Sequence, residues 1–198
     1  MDLTGVLFDA VMTPLERSSL RERRKRLMAA VSGATLEVGV GTGANLDYLP
    51  YSELDELVLL DRRFHASVYD HSFPEELSVS FVEGDVQHLP FAAATFDSVV
   101  FTLVFCSVAD PALGLQEVLR VLKPGGRVFF VEHVLPEQAL LRVPMQAITP
   151  GWKLVAGGCH LNRHTGATIR QAGFEISEFE RFGRDTMIAG IAHKPAVA

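Results

Sequence analysis

The ten residues Ala34-Thr-Leu-Glu-Val-Gly-Val-Gly-Thr-Gly43 constrain the fold of this chain more than any other stretch. An apolar run ending in alternating glycines reads as a buried strand turning sharply into a helix. Gly39, Gly41 and Gly43 lack the Cβ atoms that would keep a ligand off such a turn. A second apolar run, Leu57-Val-Leu-Leu60, ends in Asp61, 18 residues beyond Gly43. At that spacing a Rossmann-type fold sets a carboxylate against a ribose. The pattern predicts a pocket for a nucleoside.

Two details separate the candidate nucleosides. A nicotinamide dinucleotide needs G-x-G-x-x-G, with its pyrophosphate at a helix N-terminus. Here the spacing is G-x-G-x-G, and Glu37 stands two residues before the first glycine. A carboxylate at that point repels a pyrophosphate and suits a cationic amino-acid group. S-adenosylmethionine carries a ribose, a sulfonium and an ammonium, and no phosphate.

The remaining strand candidates are 78–82, 97–104 and 127–134, added to 34–40 and 56–61. Most are continuously apolar, as parallel strands covered on both faces should be. Residues 15–31 read as a helix with an apolar stripe of Leu20, Leu27, Met28 and Val31. Arg17, Arg21, Arg24 and Lys25 are read as lying off that stripe. A second helix spans 110–122 and stops at Pro124-Gly125-Gly126. Residues 136–172 hold two more helices, and the runs 174–182 and 186–193 form a hairpin around Gly183-Arg-Asp185. The expectation is an α/β fold: a doubly wound, Rossmann-like sheet, mostly parallel, with the hairpin adding an antiparallel edge. Ligands bind such sheets beyond the carboxyl ends of the strands. Gly39–Gly43, Asp61, Asp85, Phe105–Ser107 and Glu132–His133 all fall there.

At 198 residues the chain suits one domain, with 1–31 as a helical lid and 135–172 as a substrate-side insertion. A net charge of −6 argues against a nucleic-acid partner. No apolar run approaches the ~20 residues that span a bilayer. With two cysteines and no signal-peptide pattern at the start, the expected location is the cytoplasm. The basic run Arg21-Glu-Arg-Arg-Lys-Arg26 reads first as a solvated helix face. Its functional alternative is a peripheral membrane contact through residues 17–26. A monomer and a homodimer both fit.

In order along the chain, Glu37-Val-Gly-Val-Gly-Thr-Gly43, Asp61, Gly84-Asp85 before Leu89-Pro90-Phe91, Phe96-Asp97-Ser-Val-Val100 and Leu119-Arg-Val-Leu-Lys-Pro-Gly-Gly126 resemble the class I S-adenosylmethionine-dependent methyltransferases. The resemblance implies a sheet of seven strands whose last strand is antiparallel. Phe101-Thr-Leu-Val-Phe-Cys-Ser-Val108, Phe129-Phe-Val-Glu-His-Val134, Gly151-Trp-Lys153 and Gly158-Cys-His-Leu-Asn-Arg163 are similar to the methyltransferase-like thiol methyltransferases and their bacterial relatives. Relatives of that branch are grouped with phospholipid N-methyltransferases and quinone C-methyltransferases. The segment His164-Thr165-Gly166 lacks the Thr-Trp pair of the animal proteins.

On this resemblance Gly39, Gly41 and Gly43 line the methionine portion of the cofactor and Glu37 meets its ammonium, with Asn45 in the same pocket. Asp61 takes the ribose hydroxyls, Asp85 the adenine amino group and the Val86 amide a ring nitrogen. Thr102 and Leu103 supply backbone and packing contacts. The implied acceptor is a small, largely apolar molecule, a thiol being the leading choice. A catalytically inactive cofactor-binding scaffold is the non-enzyme alternative. His133 is the first candidate for a catalytic base, ahead of His160 and His164. Phe8, Phe105, Trp152, His160 and Arg163 are the candidate acceptor contacts. Cys106, His133, Cys159, His160 and His164 are the possible metal ligands, but no C-x-x-C pair occurs, and His160 and His164, spaced to share a helix face, have no third ligand following nearby. No metal is therefore expected, and Cys106 reads as a buried small hydrophobe.

Overall fold

The computed structural model describes residues 20–196. Seven strands form one sheet in the order β3-β2-β1-β4-β5-β7-β6. They are β1 (Ala34–Val38), β2 (Glu56–Asp61), β3 (Ser78–Glu83), β4 (Phe96–Thr102), β5 (Leu122–His133), β6 (Glu175–Phe182) and β7 (Met187–His193). The chain starts at β1, works outward to β3, then returns to β4 on the other side. That reversal between β1 and β4 opens a crevice at the carboxyl ends of the strands.

Only β7 runs antiparallel to its neighbours, β5 and β6. The hairpin forms one edge of the sheet through antiparallel pairing, as expected, but its strands are not in chain order. Its second strand slips between β5 and β6, leaving β6 outermost. Burial explains the choice: the first six residues of β7, Met-Ile-Ala-Gly-Ile-Ala, are all buried, whereas β6 carries charged residues and is largely exposed.

Strand residues alternate between two apolar layers. Leu36, Val58, Val99, Phe101, Val128 and Phe130 face helices α3 (Pro111–Val121) and α5 (Thr165–Gln171), which bring Leu115, Val118 and Ile169. Leu57, Leu59, Val100, Phe129 and Val131 face the other way, towards α1 (Arg21–Met28) with Leu20, Leu27, Met28 and Val31. The short α2 (Ala66–Tyr69) follows β2, and α4 (Ala139–Val155) follows β5.

Three elements differ from the sequence expectation. The glycine turn leads into two 3-10 turns, Leu46–Tyr48 and Tyr51–Glu53, and no α-helix follows β1 before β2. The helix before Pro124-Gly125-Gly126 ends at Val121 as expected, but β5 begins at Leu122 and takes in the Pro-Gly-Gly as an irregularity, where the register with β4 slips between Phe96 and Ser98. Arg24 does not lie off the apolar stripe of α1 but on it, and is buried.

The basic run of α1 is a solvated face only in part: Arg21, Lys25 and Arg26 are exposed, Arg23 is half-buried and Arg24 is buried. Arg23 and Arg26 both pair with Glu180 of β6, and Arg23 also stacks over Phe182, 4.3 Å from its ring centre. Arg21 donates to the Tyr48 hydroxyl at 3.0 Å. No residue of α1 lines the cavity described below. The remainder of the expected lid, including Phe8 and Arg17, lies outside the described residues. Among the described residues no helix is long and apolar enough to cross a membrane.

Candidate active site

Strand register gathers the site. Val38 of β1 stands beside Leu60 of β2 and Phe101 of β4. The next residues along are Gly39, Asp61 and Thr102, so pairing alone brings them to one end of the sheet. Asp61 pairs in turn with Glu83 of β3, and Gly84 and Asp85 follow. A cavity of about 380 Å³ opens there, lined by Gly39, Gly41, Asp61, Asp85, Val86 and Leu103 among others. Arg62 and Gln87 also line it, and no sequence motif singles them out.

The three glycines do different jobs. Gly39 has φ +68°, and a Cβ there would come within 2.5 Å of Val104, so this glycine admits the loop after β4. Gly41, at φ +59°, has no atom within 4 Å of where a Cβ would sit and opens onto the cavity. Gly43 does not line the cavity. Its missing Cβ makes room for Leu46, at 2.9 Å, which lets the turn pack on itself.

The acidic residues are each held from behind. Asp61 accepts from the Gly41 amide at 2.8 Å through Oδ2 and from the Arg63 amide at 3.2 Å through Oδ1. Asp85 caps the turn Val86–His88, accepting from the Gln87 amide at 2.9 Å and from the Gln87 side chain. That turn is anchored through Arg120, which donates to the carbonyls of Leu89 and Phe91 and pairs with Glu117.

Glu37, Asn45 and Thr102 do not line the cavity but form a buried layer next to it. Asn45 Nδ2 donates to Glu37 Oε1 at 2.8 Å and to Thr102 Oγ1 at 3.1 Å. Arg24 donates to the Asn45 oxygen and, at 3.2 Å, to Thr102 Oγ1. The second carboxylate oxygen of Glu37 is buried with no hydrogen-bond partner among the described residues. Burial pushes the Glu37 carboxyl from an ordinary 4.5 up to about 7, against the opposing pull of Asn45 and Arg24. A buried acceptor lacking a donor is what an ammonium group would satisfy.

On the other side of the cavity the backbone bends back at Leu103, whose φ is +60°. The loop that follows is strapped to β5 by Glu132. Its Oε1 accepts from the amides of Val104 (2.9 Å) and Phe105 (2.8 Å), and its Oε2 from the amide of Cys106 (2.9 Å). Glu132 is fully buried, and burial raises its carboxyl to about 6 despite those three donors. Its place at a strand end is legible in the sequence; its task as a strap is not.

Two expected acceptor contacts turn out to be structural. Phe105 is buried in the core, edge-to-face with Phe101 at 4.6 Å, and cannot reach the cavity. Arg163 donates to the Phe105 carbonyl and so ties the same loop to the segment before α5. His160 donates its backbone amide to the Cys106 carbonyl at 2.7 Å; burial, Arg163 and Lys153 hold its imidazole below the usual range. His164 is exposed and precedes the first turn of α5.

His133 is buried and does not line the cavity; its Nδ1 lies 3.4 Å from Cys159 Sγ. Cys106, Cys159 and His133 converge, although nothing in their spacing announces it. Their ligand atoms all lie within 4.8 Å of one another. The closeness of Cys159, with burial, drives the Cys106 thiol up, and the closeness of Cys106 draws the Cys159 thiol down. Trp152 is half-buried beside Cys159, its indole N–H making no conventional hydrogen bond.

A glycine turn, an acid at the end of β2, an acid after β3 and a buried carboxylate lacking a donor define a nucleoside site for a cationic amino acid. Residues 36–130 match the methyltransferase-domain family, and the chain belongs to the S-adenosylmethionine-dependent methyltransferases. It is 33% identical over 195 residues to the human thiol S-methyltransferase TMT1B, spanning 87% of this chain and 75% of that protein. It is 27% identical over 210 residues to the demethylmenaquinone methyltransferase of Clavibacter sepedonicus, spanning 98% and 85% respectively. The crystal structure of an S-adenosylmethionine-dependent methyltransferase from Mesorhizobium loti superposes with a TM-score of 0.67 at 16% identity, covering 87% of this chain and 96% of that one. The protein is a methyltransferase whose methyl donor is S-adenosylmethionine.

Proposed function

We propose that the acceptor is a small, largely apolar thiol and that the reaction is S-methylation. The observation that carries this reading is the wall of the cavity facing the carboxylate cluster. Leu103, Val104, Val108, Ala109, Ala156 and Gly157 line it, with Ser107 as the one polar residue among them. Such a wall desolvates an acceptor without offering groups to pair with a charged one. The similarity to proteins named thiol S-methyltransferases points the same way.

The donor supplies an electrophilic methyl on its sulfonium, and displacement at that carbon needs alignment above all. Holding the partners as a near-attack pair supplies roughly 7–11 kcal/mol. In this reading Asp61 and Asp85 grip the two ends of the nucleoside, and Val86 and Leu103 pack its faces. Glu37, fixed by Asn45 and Thr102, holds the ammonium. The loop 103–109, strapped by Glu132 and Arg163, forms the acceptor side together with Ala156 and Gly157, from the segment that also carries Trp152 and His160. A thiol of ordinary pKa ~8.5 is mostly protonated near neutrality, so its proton must be drawn off. His133 faces Cys159 and not the cavity, which makes it a group acting through the cysteines rather than a base touching the acceptor.

The partner is then a small molecule, and the two free cysteines suit a reducing compartment such as the cytoplasm. The ion pairs of Arg23 and Arg26 with Glu180 leave α1 poorly suited to grip an anionic membrane. One second reading has a specific support: similarity to a demethylmenaquinone methyltransferase runs over 98% of this chain and favours C-methylation of a quinol. Labelled S-adenosylmethionine offered in parallel with an alkyl thiol, a demethylated quinol and phospholipid vesicles separates these. Label in the thiol is expected; label in the quinol or the lipid alone refutes the thiol reading. Binding of the donor with no transfer to any of the three favours a scaffold.

A further inference from the structure

Three metal-ligating side chains from distant parts of the sequence meet behind the wall of the cavity. Cys106 belongs to the loop after β4, His133 ends β5 and Cys159 follows α4. The two sulfurs and a ring nitrogen lie within 4.8 Å of one another, with Cys159 Sγ 3.4 Å from His133 Nδ1. Zinc bound at ≈ 2.3 Å to sulfur and ≈ 2.0–2.1 Å to nitrogen sets tetrahedral ligand atoms about 3.5–3.8 Å apart. The three are thus spread little wider than a bound ion requires.

Their surroundings fix them for such a task. Both cysteines are free and fully buried, and His133 is nearly so. The Cys106 backbone is clamped at both ends: its amide donates to Glu132, and its carbonyl accepts from His160 in the segment that carries Cys159. The ligands therefore sit on segments already tied together, which lowers the ordering cost of binding. Two thiolates and an imidazole select a soft or borderline divalent ion, and zinc in particular. With both thiols deprotonated the protein ligands neutralise the ion, which eases its burial.

We propose that Cys106, His133 and Cys159 hold one zinc ion, and that its open fourth position takes the sulfur of the acceptor; this second part rests on the thiol reading above. Three protein ligands with one open position is the pattern of a catalytic zinc centre. Ser107, next to Cys106, and Gly157, two residues before Cys159, both line the cavity, so the centre lies directly behind it. Loading the ion releases the two cysteine protons to solvent. The acceptor thiol gives up its proton to solvent as its sulfur joins the ion. A lone pair on that sulfur then forms the new S–C bond as the C–S bond of the sulfonium breaks, leaving a neutral thioether and S-adenosylhomocysteine. The thioether is a poorer ligand than a thiolate and departs. His133 in this scheme is a ligand, and no separate base is needed.

The test uses the full chain, reduced and stripped of metal, titrated with zinc and with cobalt(II) in the absence of donor and acceptor. One equivalent should bind, and the cobalt form should show thiolate-to-metal charge transfer and the intense visible bands of a four-coordinate site. Cys106→Ser and Cys159→Ser should each weaken zinc by more than the roughly 10–100-fold seen for changes outside the ligand shell. Both are nearly isosteric, and binding of S-adenosylmethionine reports that the variants are folded. No stoichiometric ion in the wild-type chain, or unchanged affinity in both variants, overturns the site, as does a Cys106–Cys159 disulfide in place of metal in the isolated protein. Full-rate thiol methylation by metal-free protein overturns the fourth-ligand role while the thiol reading stands. A cobalt spectrum that no alkyl thiol alters, in a protein that methylates none, refutes the thiol reading and leaves the metal site intact.

Discussion

Arg24 donates to the amide oxygen of Asn45, and that buried contact joins helix α1 to the layer beneath the cofactor site. Asn45 turns its amide nitrogen to the Glu37 carboxylate, an orientation that the charges on either side dictate. The guanidinium also reaches Thr102, so one side chain from the first described helix braces residues from β1, the glycine turn and β4.

Removing that brace should therefore cost both stability and binding. Arg24→Ala removes the donor to the Asn45 oxygen and to Thr102, and leaving a buried polar group unsatisfied costs about 1–3 kcal/mol. Denaturant unfolding should show a loss of that order, and titration calorimetry a weaker grip on S-adenosylmethionine. A variant as stable as the parent would mean that the network carries no load.

Glu37 gives the site a pH dependence. Its folded-state carboxyl, near 7, lies above the ordinary 4.5, so the protonated form is favoured by folding. The stability this brings is fully present below pH 4.5 and is lost as the pH rises to about 7, with a limiting slope of about 1.4 kcal/mol per pH unit. Glu132 acts in the same sense up to about pH 6. An ammonium ligand wants the ionised carboxylate, so donor affinity should rise with pH up to about 7 and then level. Calorimetry about one pH unit below that value, in buffers of different ionisation enthalpy, should detect a proton released on binding. Glu37→Gln should abolish that release.

Asp61 holds the Gly41 amide, and in the proposed site it also takes the ribose. Asp61→Ala should weaken S-adenosylmethionine by roughly 10–100-fold, the worth of a hydrogen bond to a charged group at about 1.5–3 kcal/mol. Equal affinity in the two proteins would end the ribose assignment.

Gly39→Ala and Gly41→Ala should separate folding from binding. Both strain a left-handed backbone by roughly 1–2 kcal/mol, but only the first drives a methyl into Val104. Thermal unfolding without ligand should fall further for Gly39→Ala. Gly41→Ala should lose donor affinity out of proportion to its stability, because its methyl enters the cavity. The reverse order would contradict the roles assigned to the two glycines.

Glu132→Gln keeps the shape but turns a uniform acceptor into one with a donor end. One of the three loop amides then faces an N–H, and leaving a buried polar group unsatisfied costs about 1–3 kcal/mol. Faster hydrogen exchange confined to 103–107 is the expected signature. Unchanged exchange there would remove the strap.

Much of the cofactor side was legible in the sequence because it depends on chain-local facts. Strands announce themselves as apolar runs, and a ligand site at their carboxyl ends follows from parallel pairing. The glycines, Asp61 and Asp85 lie at strand ends or a few residues past them, where counting suffices. Arg24 was also readable: Leu20, Arg24, Leu27, Met28 and Val31 share one helical face, and the arginine interrupts an apolar stripe. Its charge, in a basic run, masked its position.

The acceptor side was another matter. Phe105 and Arg163 looked like contacts and proved to be core and strap, since an apolar or basic residue after a strand reads the same in either role. Nothing local could show that β7 would insert between β5 and β6, because that depends on which hairpin strand buries better. By itself the sequence determined the glycine turn, the parallel strands and the acids beyond them, all set by short-range pattern and strand register. Only the tertiary structure decided what Glu132 straps, where Arg24 points and that Cys106, His133 and Cys159 meet. Those are contacts between segments far apart in the chain, fixed by how the layers pack.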